Sequence, residues 1–250
     1  MTDAGRAVVI TGGGTGIGRA AARAFADRGD RVLIVGRTES TLSEAADRAG
    51  IHQLVADVSA PDAPEAIVAT ALDQLGGIDV LVNNAAFIRA GKLGKLDRAE
   101  TDAQIAINLL APIHLAQAAL KPLLESRGTI VNVSSAVAFG GRGWEGAGVY
   151  GAAKAGLDYL TRTWAHELGP KGVRVVGLAL GAIETGVHIR MAQTDEQHQQ
   201  WLEWLMPKIP LGRVAQPEEI ASWILHVTGP DAGYLTGAVL PLDGGLSVST

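Results

Sequence analysis

Ala7-Val8-Val9-Ile10-Thr11-Gly12-Gly13-Gly14-Thr15-Gly16-Ile17-Gly18 is a short apolar run that ends in a glycine-rich turn, and residues 17–28 follow with helical apolar spacing. A buried strand, a tight turn and a helix in that order open a β-α-β unit. Glycines at 12, 16 and 18 let the backbone turn sharply and come close to an anion, which the helix N-terminus then favours. With Thr15 and Ile17 between them, these glycines form a candidate cradle for a dinucleotide pyrophosphate. The full G-x-G-x-x-G string is not met, so taken alone the turn also fits a plain strand-to-helix connection. Its place after the first strand of the chain favours the cradle.

Working outward, the alternation continues. Strand-like runs fall at 7–11, 31–35, 52–55, 78–82, 129–133, 174–178 and 238–240, separated by helical patterns at 17–28, 39–48, 64–75, 99–124 and 149–168. Runs as apolar as Val8-Val9-Ile10 and Val80-Leu81-Val82 suit strands buried on both faces. The pattern predicts an α/β fold: one domain over residues 1–250, a doubly wound parallel sheet of about seven strands, and helices on both faces. Residues 186–207 are polar and helical in spacing yet hold Trp201, Trp204 and Met206, and they lie between the sixth and seventh strands, where a substrate lid is expected.

Composition narrows the functional classes. The 250 residues are 47% hydrophobic with a formal net charge of -5, enough apolar material for a sizeable core. Acids and bases are interspersed, with no basic footprint for nucleic acid and no basic amphipathic helix for a membrane surface. There is no cysteine, which excludes disulfides and thiolate chemistry and suits a cytoplasmic location. The N-terminus runs into a strand without a signal-peptide apolar region, and no apolar run reaches membrane-spanning length. The six histidines form no ligand-spaced cluster, so no metal is expected.

The second strand ends in Val35-Gly36-Arg37-Thr38. An acidic side chain near this point would recognise a ribose 2′-hydroxyl, whereas an arginine accommodates a 2′-phosphate. Gly36 stands where the acid belongs and Arg37 follows, which favours NADP(H) over NAD(H). Further along, Tyr150 and Lys154 are four residues apart and share one helix face. An ammonium beside a phenol lowers its pKa, so that Tyr150 could exchange a proton with a substrate oxygen. Ser135 follows the strand 129–133, at the sheet edge where ligands of such folds bind, and its hydroxyl could hold the same oxygen. Ser134 points elsewhere if the pleat persists. A tyrosine and a lysine at this spacing also arise as a packed ring and a solvated amine; the cradle upstream and the strand-end serine favour chemistry.

These landmarks resemble the short-chain dehydrogenase/reductase family along essentially the whole chain. They are Thr11-Gly12, Gly16 and Gly18, Asp57-Val58, Asn83-Asn84-Ala85, Asn108, Ser135, Tyr150, Lys154, Gly181 with Ile183 and Thr185, and Asp243-Gly244-Gly245. The resemblance implies a Rossmann-type fold and a hydride-transferring oxidoreductase, with Tyr150 as general acid/base and Lys154 lowering its pKa while holding the nicotinamide ribose. It further implies that Ser135 orients the carbonyl and that Asn108 supports a water-mediated proton relay behind Lys154. Asp57 and Val58 are expected around the adenine, Asn83 and Ala85 along the cofactor, and Gly181, Ile183 and Thr185 near the carboxamide. Ala86, Ala138 and Leu180 depart from the family's usual glycine, glycine and proline, which touches substrate geometry more than chemistry.

Specificity is expected from Phe87, Trp144, Trp201 and Trp204, with Ile88 and Met206, an apolar and aromatic set suited to a hydrophobic or ring-containing ketone. The tryptophans fit dimer contact or lid packing equally well. Arg89, Arg142, Glu145 and His188 are possible polar anchors. The leading expectation is reduction of a ketone, or oxidation of a secondary alcohol, with NADP(H). The alternatives are a 3-oxoacyl-carrier-protein or polyketide-type ketoreductase, with Arg89, Lys92 and Lys95 as a modest basic docking patch, and a nucleotide-binding relative without turnover. The family resemblance also implies a homo-oligomer, tetramer or dimer, built on the helices at 99–124 and 149–168.

Overall fold

Apolar strand runs with no polar alternation have to be covered on both faces, and that requirement organises the chain. The computed structural model describes residues 5–141, 143–186 and 194–249. Its strands are β1 (Ala7–Thr11), β2 (Arg31–Gly36), β3 (Ile51–Val55), β4 (Val80–Asn83), β5 (Thr129–Ser135), β6 (Arg174–Leu180) and β7 (Val239–Leu242). They form one seven-stranded sheet in the order β3-β2-β1-β4-β5-β6-β7, every pair parallel. In register, Ile10 lies beside Ile34 on one side and Val82 on the other.

The pleat sends alternate residues of each strand to opposite layers. Val8, Ile10, Val32, Ile34, Val131 and Val176 join one core with Phe25 of helix α1 (Gly16–Ala26) and Ile220 and Ile224 of helix α9 (Pro217–Thr228). Ala7, Val9, Leu33, Leu81, Ile130 and Val175 join the other core. Its helical side comes from α3 (Ala63–Leu75) through Ile67 and Leu75, and from Leu115, Leu123 and Leu168. The order reverses between β1 and β4, so a crevice opens there at the carboxyl edge of the sheet, where ligands of open α/β sheets bind.

Two elements differ from the sequence reading. The predicted helix at 99–124 is broken into α4 (Arg98–Ile105), a π-helical turn (Ala106–Leu110), α5 (Ala111–Ala118) and α6 (Leu120–Ser126). Prolines explain both breaks: Pro112 and Pro122 have no N–H to give the carbonyls of Asn108 and Ala118, four residues back, and their rings crowd those carbonyls. Helix α9 was not read from the sequence. Its start is a capping box of Gln216 and Glu219 with proline in the first turn, and Ile220, Ile224 and Leu225 are buried.

The remaining helices are α2 (Glu39–Ala45), α7 (Gly148–Leu168) and α8 (Asp195–Leu205), the last opened by a Thr194–Gln197 capping box. Helix α8 belongs to the expected lid; residues 187–193 of that segment, His188 among them, lie outside the described residues, as does Arg142. No single helix among the described residues is long and apolar enough to cross a membrane.

Candidate active site

The glycine turn sits at the mouth of the crevice. Gly12 and Gly16 hold φ of 66° and 49°, a left-handed backbone that favours glycine. A Cβ on Gly18 would stand 2.3 Å from the Gly12 carbonyl oxygen, and one on Gly16 would stand 2.9 Å from Thr185 Cβ. Thr15 precedes α1 in an extended conformation, its side chain makes no capping hydrogen bond, and the first turn of α1 has no acid. The first N–H groups of α1 thus face the crevice with no carboxylate competing for them, which fits an incoming pyrophosphate.

Asn84, a residue to which the sequence reading gave no role, clamps this turn to β4. Its Nδ2 donates to the carbonyls of Thr11 at 2.8 Å and Gly12 at 3.2 Å, while the backbone N–H groups of Asn84 and Ala85 both donate to Thr11 Oγ1 at 3.0 Å. Its neighbour Asn83 turns into the sheet instead. Asn83 Nδ2 donates to Asn132 Oδ1 at 2.9 Å, and Asn132 Nδ2 donates to Thr161 Oγ1 at 2.9 Å, tying β4 to β5 and to α7. Asn83 is therefore a strut beneath the crevice, and Ala85 lies at its rim. Only the strand register, which alternates faces, separates the roles of these adjacent asparagines.

Arg37 and Asp57 meet across the ends of β2 and β3, with Nη1 3.8 Å from Oδ2. Partial burial pushes the Asp57 carboxyl up, but hydrogen bonds from the Ser59 hydroxyl and N–H, together with the Arg37 charge, hold it below the usual carboxylate range. The Arg37 side chain is 64% exposed, so it is free to swing onto a phosphate. Val58 packs beside the floor of the crevice with Thr11, Asn83 and Ala85. On the far side, Gly181 is pressed against Asp243, and its N–H donates to the Leu242 carbonyl at 3.0 Å. Ile183 bridges to Ala215, which holds Thr185 against Gly16.

Ser135, Tyr150 and Lys154 are brought together as expected. The Ser135 hydroxyl accepts the Val137 N–H at 3.3 Å and lies close enough to the Tyr150 phenol to favour its ionised form. Lys154 is buried beneath them, with Nζ 5.8 Å from the Tyr150 ring centre. That ammonium donates to the Val133 carbonyl at 2.7 Å rather than to the phenol. The phenol is held above its ordinary pKa because burial outweighs the opposing pull of Ser135, and Lys154 does not reverse this. Burial also lowers Lys154, to about 8, against the opposing charge of Asp158. In the protein by itself Tyr150 is a proton donor at neutral pH.

Asn108 lies in the π-helical turn and is fully buried. Its Nδ2 donates to the carbonyls of Phe87 at 2.6 Å and Gln104 at 2.8 Å, and its Oδ1 accepts the Phe87 N–H at 3.2 Å. Both amide hydrogens are thus committed to backbone, and the side chain holds the Phe87 segment in place.

The expected specificity residues divide. Phe87 sits at the mouth beneath the Arg89 guanidinium, 5.2 Å from the ring centre. Trp144 packs inward with Ala136, Ala182, Leu205, Met206, Ile209 and Leu246. Trp201 and Trp204 turn outward, 40% and 52% exposed, stacked on His198 and beneath Lys208 respectively. Helix α8 therefore presents Leu205, with Met206 just beyond it, to the site in place of the two tryptophans. Two of the three basic docking candidates are already paired, Arg89 with Glu100 and Lys92 with Glu145. Among the described residues no group of three or more His, Asp or Glu is placed to hold a metal ion.

A seven-stranded parallel sheet with a glycine cradle at its switch point and a Ser-Tyr-Lys cluster beside it defines a short-chain dehydrogenase/reductase, and the chain belongs to that family of oxidoreductases. A family model described as enoyl-(acyl carrier protein) reductase matches residues 12–247. Among curated relatives, a 3-oxoacyl-(acyl-carrier-protein) reductase of Vibrio cholerae is 35% identical, over 98% of this chain and 99% of its own. The (2S)-((R)-hydroxy(phenyl)methyl)succinyl-CoA dehydrogenase subunit BbsD of Thauera aromatica is also 35% identical, over 97% of both chains. A crystal structure of a short-chain dehydrogenase/reductase of unknown function from Caenorhabditis elegans, with cofactor, superimposes with a TM-score of 0.91 at 33% identity, covering 98% of this chain and 96% of that one.

Proposed function

We propose that the protein is an NADP(H)-dependent ketoreductase acting on the 3-oxo group of an acyl thioester. The observation that carries the reaction class is the convergence of Ser135 and Tyr150 above a buried Lys154, beside the glycine cradle. NADPH, when bound, supplies the hydride. The cradle residues Gly12, Thr15, Gly16, Ile17 and Gly18 would hold its pyrophosphate, Arg37 its 2′-phosphate, and Asp57, Val58 and Ala85 its adenosine side. Gly181, Ile183 and Thr185 line the opposite wall.

The Ser135 hydroxyl and the Tyr150 phenol converge on the substrate carbonyl oxygen. As the carbonyl carbon gains a C–H bond, the C=O π pair moves onto oxygen, and Tyr150 gives that oxygen its phenolic proton, leaving a phenolate and a secondary alcohol. The phenol is protonated at neutral pH, which is the form that the reductive direction uses. The Lys154 ammonium stabilises the phenolate while it lasts, and Asn108 keeps the Phe87 wall of the pocket in register.

The thioester assignment is supported by the names of the two relatives, which share an acyl thioester and differ in its carrier. It also agrees with the apolar wall of Phe87, Trp144 and Met206. The pairing of Arg89 and Lys92 with acids weakens that surface as a carrier-protein dock, so a coenzyme A thioester is the first substrate to try. The test is NADPH consumption with acetoacetyl-CoA, run beside NADH and beside an aromatic ketone without a thioester. Turnover with the thioester and NADPH is expected; turnover only with the free ketone returns the reading to a general carbonyl reductase. Helix α8 acts as the lid in this scheme, and a homo-oligomer using α7, where Tyr159 is 70% exposed, completes it.

A further inference from the structure

Helix α7 carries a third ionisable residue on the face that bears Tyr150 and Lys154. Asp158 follows Lys154 by one turn and is 4% exposed, next to a lysine that is 2% exposed. A buried carboxylate is costly unless it is paired or hydrogen-bonded, so its surroundings need an account. Ser134 of β5 donates its hydroxyl to the Lys154 backbone carbonyl at 3.5 Å and stands near the Asp158 carboxyl, which burial pushes above its ordinary value while Ser134, Arg162 and Lys154 draw it back down. The Asp158 Oδ1 atom meets no hydrogen-bond donor among the described residues. Arg162, one turn further on, spends Nη1 on the Asp158 backbone carbonyl at 3.1 Å rather than on its carboxylate.

The charges bearing on Asp158 come from its own helix, Lys154 and Arg162, while β5 contributes the Ser134 hydroxyl. Of the other elements against α7, β6 brings Gly177 beside Thr161 and the π-helical turn brings Leu109 against Gly156, while α4 carries its charged residues Arg98, Glu100 and Asp102 on exposed side chains, Arg98 paired with Asp102 and Glu100 with Arg89. The carboxyl is thus left short of hydrogen bonds one helical turn from buried Lys154, whose ammonium is itself turned to the Val133 carbonyl.

We propose that Asp158 is a positioning residue for Lys154, its buried carboxylate keeping the lysine cationic beneath Tyr150. An ammonium removed from water tends to shed its proton, and an opposite charge nearby restores the cationic form. Burial already brings Lys154 down to about 8, with Asp158 holding it from falling further. The phenolate formed when Tyr150 gives up its proton needs that cation. The inference rests on the ketoreductase reading for its consequence, but not for its test.

The test is competitive labelling of the cofactor-free protein with acetic anhydride across pH, with Lys154 acetylation read by peptide mass spectrometry in wild type, Asp158→Asn and Asp158→Glu. In Asp158→Asn the Lys154 midpoint is expected to fall by about one unit, and in Asp158→Glu to stay near the wild-type value. Coincident midpoints in wild type and Asp158→Asn would overturn the proposal, as would equal shifts in both variants, which would point to packing instead of charge. If Asp158→Asn does not fold, Asp158→Ser removes the same charge with less volume and is read the same way. A second readout is the alkaline limb of the kcat/KM profile for ketone reduction, which should move to lower pH in Asp158→Asn alone. Failure of the wild type to consume NADPH with any ketone sinks the ketoreductase reading and leaves the labelling result to stand by itself.

Discussion

Lys154 Nζ reaches from α7 to the Val133 carbonyl of β5 at 2.7 Å, anchoring the ammonium to the strand that ends in Ser135. Helix and strand are thereby cross-linked at the point where the phenol and the serine hydroxyl meet. Burial lowers this lysine by more than the Asp158 charge restores, so the ammonium is a net cost to the fold, and that gives the first expected outcome.

Lys154→Met should raise the melting temperature while removing activity. With a native value of about 8 against an ordinary 10.5, the unfolded chain binds more protons between those limits, so unfolding free energy rises with pH across that window. Below about pH 8 the charged lysine carries its full burial cost, on the order of 3 kcal/mol. Calorimetry of wild type and variant from neutral to alkaline pH checks this: the wild type should gain stability with pH and the variant should not. A variant less stable than wild type at pH 7 would show that the Val133 hydrogen bond outweighs desolvation.

Tyr150→Phe should lower kcat for ketone reduction by about 10^3-fold, the scale of a lost general acid, with NADPH affinity little changed. Single-turnover kinetics and a fluorescence titration separate the two effects.

In the wild type, burial keeps the Tyr150 phenol above its ordinary value, so the alkaline fall in reductive kcat/KM should report Lys154 losing its proton above about pH 8. The oxidative direction needs the phenolate and should keep rising with pH. Rate profiles in both directions, on one buffer series, check the sign; a reductive rate still flat well above that value would assign the limb elsewhere.

Arg37→Asp should weaken NADPH binding by about 10- to 100-fold, the loss of one or two charge-assisted hydrogen bonds, and leave NADH nearly unaffected. The new acid would also face Asp57, at the distance Arg37 now spans. Fluorescence titrations with each nucleotide are the measurement. Equal losses for both nucleotides would mean that Arg37 supports the loop and not the 2′-phosphate.

Trp144→Ala should destabilise the protein by about 1–2 kcal/mol and raise KM, because the partly buried ring packs against the cluster of Leu205, Ile209 and Leu246. Trp204→Ala, at an exposed site, should change KM less than about 3-fold. Urea titration and steady-state kinetics on both variants test whether the lid acts through its inner or its outer face.

Most of the candidate site was legible in sequence because it is local. The turn from Gly12 to Gly18 declares its backbone through the residues it can tolerate, and Tyr150 and Lys154 share a face by helical spacing alone. Asn84 was passed over because its partners, Thr11 and Gly12, are far away in the chain. The outward turn of Trp201 and Trp204 was equally hidden, since an amphipathic helix does not say which of its aromatic residues meets the body of the protein.

Strand and helix alternation, the parallel sheet, the cradle and the Tyr-Lys pair follow from the sequence by itself, because each depends on propensity, period and spacing within a few residues. The break at the π-helical turn was legible too, in the prolines at 112 and 122, though the pattern of apolar residues masked it. Tertiary structure alone decided the protonation of the site. Lys154 and Asp158 take their acidities from how completely β5 and its neighbours exclude water around them, and the partly buried Tyr150 phenol is raised by the same desolvation. Desolvation belongs to a place in the folded protein, and no sequence spacing encodes it.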